Sequence, residues 1–264
     1  MWQGEGSCPA FYVMRNLKLV IEYDGTNYHG WQRQGCHVTV QGILEEKIGI
    51  FTRTTVTVIG SGRTDSGVHA LRQVAHVKTD SQVDCGMFRY ALNAILPRDI
   101  VIKEVVDVPL SFHARFDVTA KKYRYQIWND PVPTAVYRRY FWHIPKLLDV
   151  DRMREGAKFL LGTHNFQSFC GTGSKIKDYV RTVHHIAIER EEREKIFISM
   201  AADGFMRHMV RNIVGTLVDV GKGKYLPLNV ETIRNARDRK AAGMTAPAQG
   251  LFLVGVCYDN SLKE

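Results

Sequence analysis

The chain has little cysteine, and none of it stands in a working pattern. Its five cysteines, at 8, 36, 85, 170 and 257, include no Cys-x-x-Cys, and the closest two are 28 residues apart. That excludes zinc-ligand spacing. An odd count in a long chain fits free thiols in a reducing cytoplasm better than a disulfide framework. Apolar runs such as Leu251-Phe-Leu-Val-Gly-Val-Cys-Tyr258 fall far below the roughly 20 residues of a membrane span. The opening stretch from Met1 to Pro9 holds no lysine, no arginine and no apolar segment, so no signal peptide is expected, and residues 1–13 read as a flexible extension. There is no Gly-Lys-Ser/Thr phosphate loop. A dinucleotide loop is excluded as well, because Asp65 stands where G-x-G-x-x-G needs its third glycine. No serine–histidine–acid set and no hydrolase-type carboxylate pair stands out. His184 and His185, adjacent in a strand, point to opposite faces and make a poor metal site. The expectation is a protein that uses no metal and no cofactor.

What is present is ordinary globular material. The 264 residues are 45% hydrophobic and 24% charged, which excludes wholesale disorder. The length suits one large domain or two of roughly 100–150 residues. Lysine and arginine total 36 against 27 acids, a net +9 that suggests a polyanionic partner.

Periodicity divides the chain into two similar runs of elements. Leu17, Leu19, Ile21 and Tyr23 alternate onto one face of a strand that Asp24-Gly25 turns. Thr39 caps a helix whose apolar positions are Val40, Ile43, Leu44, Ile48 and Phe51. Strands follow at 55–59 and 74–77, then a helix through Met87, Phe88, Leu92 and Ile95 that Pro97 stops, then a strand at 100–106. The order β-α-β-β-α-β is that of a ferredoxin-like unit. The second run has a strand at 123–128, a helix at 151–161 ended by Gly162, and strands at 182–189 and 196–201 joined by a charged turn. Helices at about 204–220 and 230–241 and a strand at 251–257 complete it. The expected fold is α+β: two ferredoxin-like halves with largely antiparallel sheets and an active-site cleft between them. Residues 14–110 form the first half and residues 111–264 the second.

Three constellations could carry chemistry. In Gly60-Ser-Gly-Arg-Thr-Asp-Ser-Gly67, three glycines in eight residues build a loop that presents Asp65, with Arg63 two residues before it. That suits a nucleophile or an acid/base group, although an aspartate capping a turn would look the same. The stretch Phe112, His113, Ala114, Arg115, Phe116, followed by Lys121-Lys-Tyr-Arg-Tyr125, interleaves cations with aromatic rings, the composition of a contact to single-stranded or loop RNA. A half-buried strand with solvated basic residues is the plainer alternative. On the helix at 204–220, Met206, Val210, Ile213 and Leu217 make an apolar stripe. Arg207 and Arg211 lie four apart along its edge, where an anion would relieve their repulsion or where both simply snorkel.

Seven segments in order resemble the TruA family of tRNA pseudouridine synthases. They are Tyr23-Asp-Gly-Thr-Asn-Tyr-His-Gly-Trp-Gln-Arg-Gln34, Gly62-Arg-Thr-Asp-Ser-Gly-Val-His-Ala70, Leu96-Pro-Arg-Asp-Ile100, Phe112-His-Ala-Arg-Phe116, Lys122-Tyr-Arg-Tyr125, His208-Met-Val-Arg-Asn-Ile-Val-Gly-Thr-Leu217 and Ala246-Pro-Ala-Gln-Gly-Leu251. Ser66 replaces an alanine common in the family. The resemblance implies isomerisation of uridine to pseudouridine at positions 38, 39 and 40 of the tRNA anticodon stem-loop, by a cytoplasmic homodimer without cofactor or metal. It places the catalytic aspartate at Asp65, the active-site tyrosine at Tyr123, and the arginine that pairs with the aspartate at Arg211. Leu251 becomes the apolar residue under the base and Arg63 the arginine implicated in flipping it. The chemistry agrees with the residues. Isomerisation needs no redox step, and it requires the target nucleotide out of its stack and one carboxylate kept charged by a cation. Whether Asp65 attacks C1′, adds to C6 or removes a ribose proton stays open at this level. A non-catalytic RNA-binding chaperone on the same fold would explain the charge and the basic–aromatic stretch but would not require Asp65.

Overall fold

The computed structural model describes residues 13–174 and 176–259. All of the expected extension except Val13 lies outside the described residues. The first half runs β1 (Arg15–Tyr23), α1 (Val40–Thr52), β2 (Val58–Gly60), β3 (His69–Thr79), α2 (Cys85–Ile95) and β4 (Ile100–Val108). The second runs β5 (Ala120–Trp128), β6 (Trp142–His143), α3 (Val150–Lys158), β7 (Gly162–Asn165), β8 (Val180–Glu191), β9 (Lys195–Ala202), α4 (Met209–Gly221), α5 (Asn229–Asn235) and β10 (Leu251–Cys257). The caps follow the side chains. Thr39 accepts from the Gly42 amide, Asp84 from Gly86 and Met87, and Asp149 from Arg152, each satisfying amides that a helix start leaves open.

One sheet contains both halves, in the order β4-β1-β3-β10-β5-β9-β8-β7, with β2 pairing β3 and β6 pairing β5. Each half has the strand order of a ferredoxin-like unit. The first reads β4-β1-β3-β2, and the second repeats it as β10-β5-β9-β8. The pairings are antiparallel except two, β10 with β3 and β5 with β6. The first of these is the seam between the halves. It is short: Phe252 faces His69 and Leu253 faces Ala70. β3 uses the same edge twice, pairing β2 at residues 75–77 and β10 at residues 69–70. The loop that carries Asp65 emerges where that edge changes partner.

The register aligns one row of buried side chains across the seam. Tyr23 pairs with Ala70, Ala70 with Leu253, Leu253 with Tyr123 and Tyr123 with Met200, and all five belong to the core. Leu44 and Ile48 of α1, Phe88 and Leu92 of α2, Met153 of α3, and Ile213 and Leu217 of α4 pack into the same core. Burying an aliphatic or aromatic side chain of this size contributes about 1.5–3 kcal/mol.

Several expected boundaries move, each for a local reason. The helix expected at 204–220 begins only at Met209, because His208 adopts a left-handed backbone (φ 59°) and the chain from 203 to 208 is irregular. Arg207 therefore lies outside the helix, and the paired helix edge expected of Arg207 and Arg211 does not form. The helix expected at 230–241 ends at Asn235; Arg237 turns left-handed (φ 50°) and Asp238 caps a separate 3-10 turn, Arg239–Ala241. β3 starts at His69 rather than at 74, and β2 lies at Val58–Gly60 rather than at 55–59. The two short strands β6 and β7 have no counterpart in the sequence reading.

The crossing from β4 to β5 is pinned by two histidines. His76 alternates along β3 with the core residues Ala75 and Val77, so it faces the other side of the sheet. Its Nδ1 accepts from the Ala114 amide (3.1 Å), and its ring meets His113 edge-on with centroids 4.9 Å apart. His113 Nδ1 in turn accepts from the amides of Arg115 and Phe116 (both 3.2 Å). His76 is 3% exposed, and burial, reinforced by His113 and Lys78, lowers its pKa to about 4. The folded state therefore prefers the neutral ring, while the unfolded chain takes up a proton near the ordinary value of about 6.5. Stability from this group is present above that value and is lost as pH falls toward 4, by on the order of 3 kcal/mol. Thermal unfolding followed from pH 7 to pH 4 should show a steeper loss for the native protein than for His76→Asn, which keeps an acceptor but does not titrate. Parallel pH profiles would show that His76 carries no such linkage.

Candidate active site around Asp65

Asp65 sits at the tip of the β2–β3 loop, and the segment between β1 and α1 forms its bed. The Trp31 amide donates to the Thr64 carbonyl (3.1 Å), while the Ser66 hydroxyl and the Gly67 amide both donate to Tyr28 O (3.2 and 3.3 Å). The Tyr23 hydroxyl bonds the Thr64 hydroxyl at 2.8 Å in a buried contact. Gly30 makes this approach feasible: its φ is +84°, and a Cβ there would come within 2.5 Å of Thr64 O. From the other half, the Lys121 ammonium donates to Ser61 O (2.8 Å). Burial, and then the nearby Arg115 charge, lower the Lys121 pKa to about 8. Two segments far apart in the chain, 23–34 and 60–70, are thus one structural unit.

Arg211 reaches the carboxylate from the first turn of α4. Its Nη1 donates to Asp65 Oδ2 at 3.0 Å, and its Nε to the Ala246 carbonyl at 2.7 Å. The Ala246 amide donates back to Arg211 O (3.1 Å), so the irregular strap at 243–247 fixes the guanidinium from behind. That strap lies so close to α4 that a Cβ on Gly215 would fall 1.8 Å from Met244 O. The side chains of Asp65 and Arg211 are 29% and 15% exposed, shielded enough for the pair to matter and open enough for a substrate. His208 is the third group here, its Nε2 lying 3.5 Å from the same Oδ2. Among the described residues no hydrogen bond to Asp65 Oδ1 is found.

Tyr123 stands on β5 and Leu251 at the start of β10, the two strands on the second-half side of the seam. Tyr123 is buried, packs edge-on against Phe205 (5.1 Å), and belongs to the row that crosses the seam. Burial, followed by the charges of Tyr23 and Asp65, raises its phenol well above the ordinary value. Leu251 opens β10 opposite Tyr125, whose hydroxyl donates to Pro247 O (2.7 Å). Arg63 is exposed and its Nε donates to Gln32 Oε1 (3.1 Å).

The Phe112–Phe116 turn is placed elsewhere. It packs through His76 against the opposite face of β3, with Ala114 buried, Phe112 and His113 half-buried, and Arg115 and Phe116 exposed. Only Arg115 acts toward the Asp65 loop, through Lys121. Arg207 holds the 171–173 turn, its carbonyl accepting from Gly171 N (2.8 Å) and its Nη1 donating to Thr172 O (3.4 Å). The sequence reading missed His208 and the Ala246 strap. Both stand inside the motif segments quoted above, but only their contacts give them a role. Among the described residues no group of three metal-binding side chains gathers, and no helix is long and apolar enough to cross a membrane.

Comparison with known proteins gives a consistent answer. The sequence profile of a family described as tRNA pseudouridine synthase matches residues 19–117 and 157–259. The tRNA pseudouridine synthase A of Acetivibrio thermocellus is 49% identical over 245 residues, covering 93% of this chain and all of that protein. A Thermoanaerobacter protein of the same name is 46% identical, and the tRNA pseudouridine synthase A 2 of Clostridium perfringens 47%, both over the same shares.

The Asp65–Arg211 contact can be tested without any assay of activity. In a double-mutant cycle of Asp65→Asn and Arg211→Met, followed by denaturant unfolding, the two changes should couple by on the order of 1 kcal/mol. Strict additivity would mean that the pair contributes nothing.

Proposed function

The chain belongs to the tRNA pseudouridine synthase family, and from that premise we propose that Asp65 is the carboxylate that carries its chemistry. The family's reaction is an isomerisation of uridine in RNA. The bond between N1 and C1′ breaks, a bond between C5 and C1′ forms, and the C5 proton leaves as N1 gains one. No electron is gained or lost overall. Attack at C1′, addition at C6 and removal of a ribose proton all require one anionic group against the extruded nucleotide.

The observation that carries this reading is the half-buried Asp65. One oxygen is gripped by Arg211 at 3.0 Å, and the other accepts no hydrogen bond among the described residues. An RNA-binding chaperone has no use for such a group, since an acid facing phosphates weakens binding. Around it the roles divide by position. Tyr123 offers a ring to the base from the core side and Leu251 an apolar contact. Arg63, exposed two residues from the acid, fills the space a uridine leaves when it swings out of the stack.

RNA contact is assigned to the cations and to the Phe112–Phe116 turn. Phe116 is 75% exposed, stacks on His113 with centroids 4.1 Å apart, and lies under the Arg115 guanidinium at 5.8 Å. This is a ready platform for an unpaired base. The target is taken to be uridines 38, 39 and 40 of the anticodon stem-loop, and the working unit a homodimer. Mapping of pseudouridine in unmodified tRNA and the mass in solution test these two assignments.

Asp65→Asn decides the central claim. The protein should fold and bind tRNA, and single-turnover formation of pseudouridine should vanish. A folded, tRNA-binding variant with near-native turnover ends the assignment. Phe116→Ala should weaken tRNA binding roughly tenfold, the size of one lost stacking contact. Native affinity should also fall steeply with salt. Unchanged affinity in Phe116→Ala would remove the platform from the RNA contact.

A further inference from the structure

His208 has three features that no structural role in α4 requires. It is the residue before the helix, yet its side chain makes no capping hydrogen bond there. Its backbone is left-handed, at φ 59° and ψ 4°, a conformation uncommon for non-glycine residues, though histidine enters it more readily than most. And its neighbour is cut back to make room: a Cβ on Gly171 would come within 2.9 Å of His208 Nδ1. The Gly171 amide donates to Arg207 O (2.8 Å), which locks that glycine beside the ring. The imidazole is therefore wedged with Nδ1 toward Gly171 and Nε2 toward Asp65 Oδ2, 3.5 Å away.

We propose that His208 is a positioning residue for Asp65: its Nε2–H and the Arg211 guanidinium hold the same carboxylate oxygen, Oδ2, and so keep Oδ1 turned toward the substrate. The inference rests on the reading of Asp65 as the reacting carboxylate. A neutral imidazole carries one N–H, and placing it on Nε2 puts the donor on the acid. Burial holds the ring below the ordinary histidine value. Asp65 pulls it up, and Arg211, Arg207 and Arg239 push it down again. A neutral donor is the right kind of second partner. A second full charge would draw electron density from the carboxylate, whereas a neutral N–H fixes its rotation at little cost in nucleophilicity. At 3.5 Å the contact is longer than a fully formed hydrogen bond.

Two substitutions separate ring from backbone. Asparagine tolerates the left-handed conformation but ends its amide near the Nδ1 position, short of Asp65. Glutamine carries an amide out to the Nε2 position. His208→Asn should lower the single-turnover rate roughly 10- to 100-fold with tRNA affinity unchanged, and His208→Gln should recover most of it. If His208→Asn does not fold, Gly171→Ala keeps the imidazole but pushes it out of its position against Asp65, and it should lower the rate at unchanged affinity. A native rate in His208→Asn, or in Gly171→Ala where that variant replaces it, overturns the proposal. So do equal losses in the Asn and Gln variants, or an effect confined to affinity, which would mark a phosphate contact instead. An active Asp65→Asn protein would fail the underlying assignment. An inactive one beside a fully active His208→Asn would fail this inference alone.

Discussion

Asp65 and Arg211 are 146 residues apart in the chain and meet at 3.0 Å. Nothing local brings them together. Asp65 belongs to a loop of the first half, Arg211 to a helix of the second, and the seam between β3 and β10 sets the two halves in register. Everything else at the site protects that distance. The 23–34 segment braces the loop from below, the strap at 243–247 braces the guanidinium from behind, and Lys121 ties the loop to β5. Two rigid supports on opposite sides of a short seam allow a charged pair to be held to hydrogen-bonding distance without being deeply buried.

The electrostatic setting is lopsided. Asp65 pairs with Arg211 beside His208, which also lies in the field of Arg207 and Arg239, in a protein whose net charge is +9. Both nearby titratable bases are lowered, but to different effect: Lys121, at about 8, stays largely protonated at neutral pH, whereas His208 is held below its ordinary range. Burial is the larger cause in both cases.

Much of this architecture was legible from periodicity, because amphipathic alternation and helix caps are local signals. Leu17 to Tyr23 and the Thr39-capped helix stand where their patterns put them. The failures are local overrides that composition cannot show. The left-handed turns at His208 and Arg237 cut two helices short, and β6 and β7 exist only because a partner strand offers an edge. The loop aspartate could be singled out from its glycines, and Arg211 from its place beside an apolar stripe. Nothing in the spacing indicated that they pair with each other. Leu251 had no site signal in the residues and came forward only through family resemblance, and Tyr123 stood out only as one ring of the basic–aromatic stretch. Their neighbourhood is a matter of sheet register, which depends on pairings between distant segments.

β10 lies in the middle of the sheet, yet it is made after every other strand. During synthesis the first half can gather β4, β1, β3 and β2 early, and β5, β9 and β8 can pair as they appear. Until residues 251–257 emerge, however, β5 presents an open edge to solvent, and β3 does so at residues 69–70, along the line where the halves must join. Such edges invite pairing with other chains. The closing strand therefore does two things at once. It removes the exposed edges and brings an acid and an arginine within reach of each other, so the folding intermediate most at risk of aggregation is also one that has no assembled site.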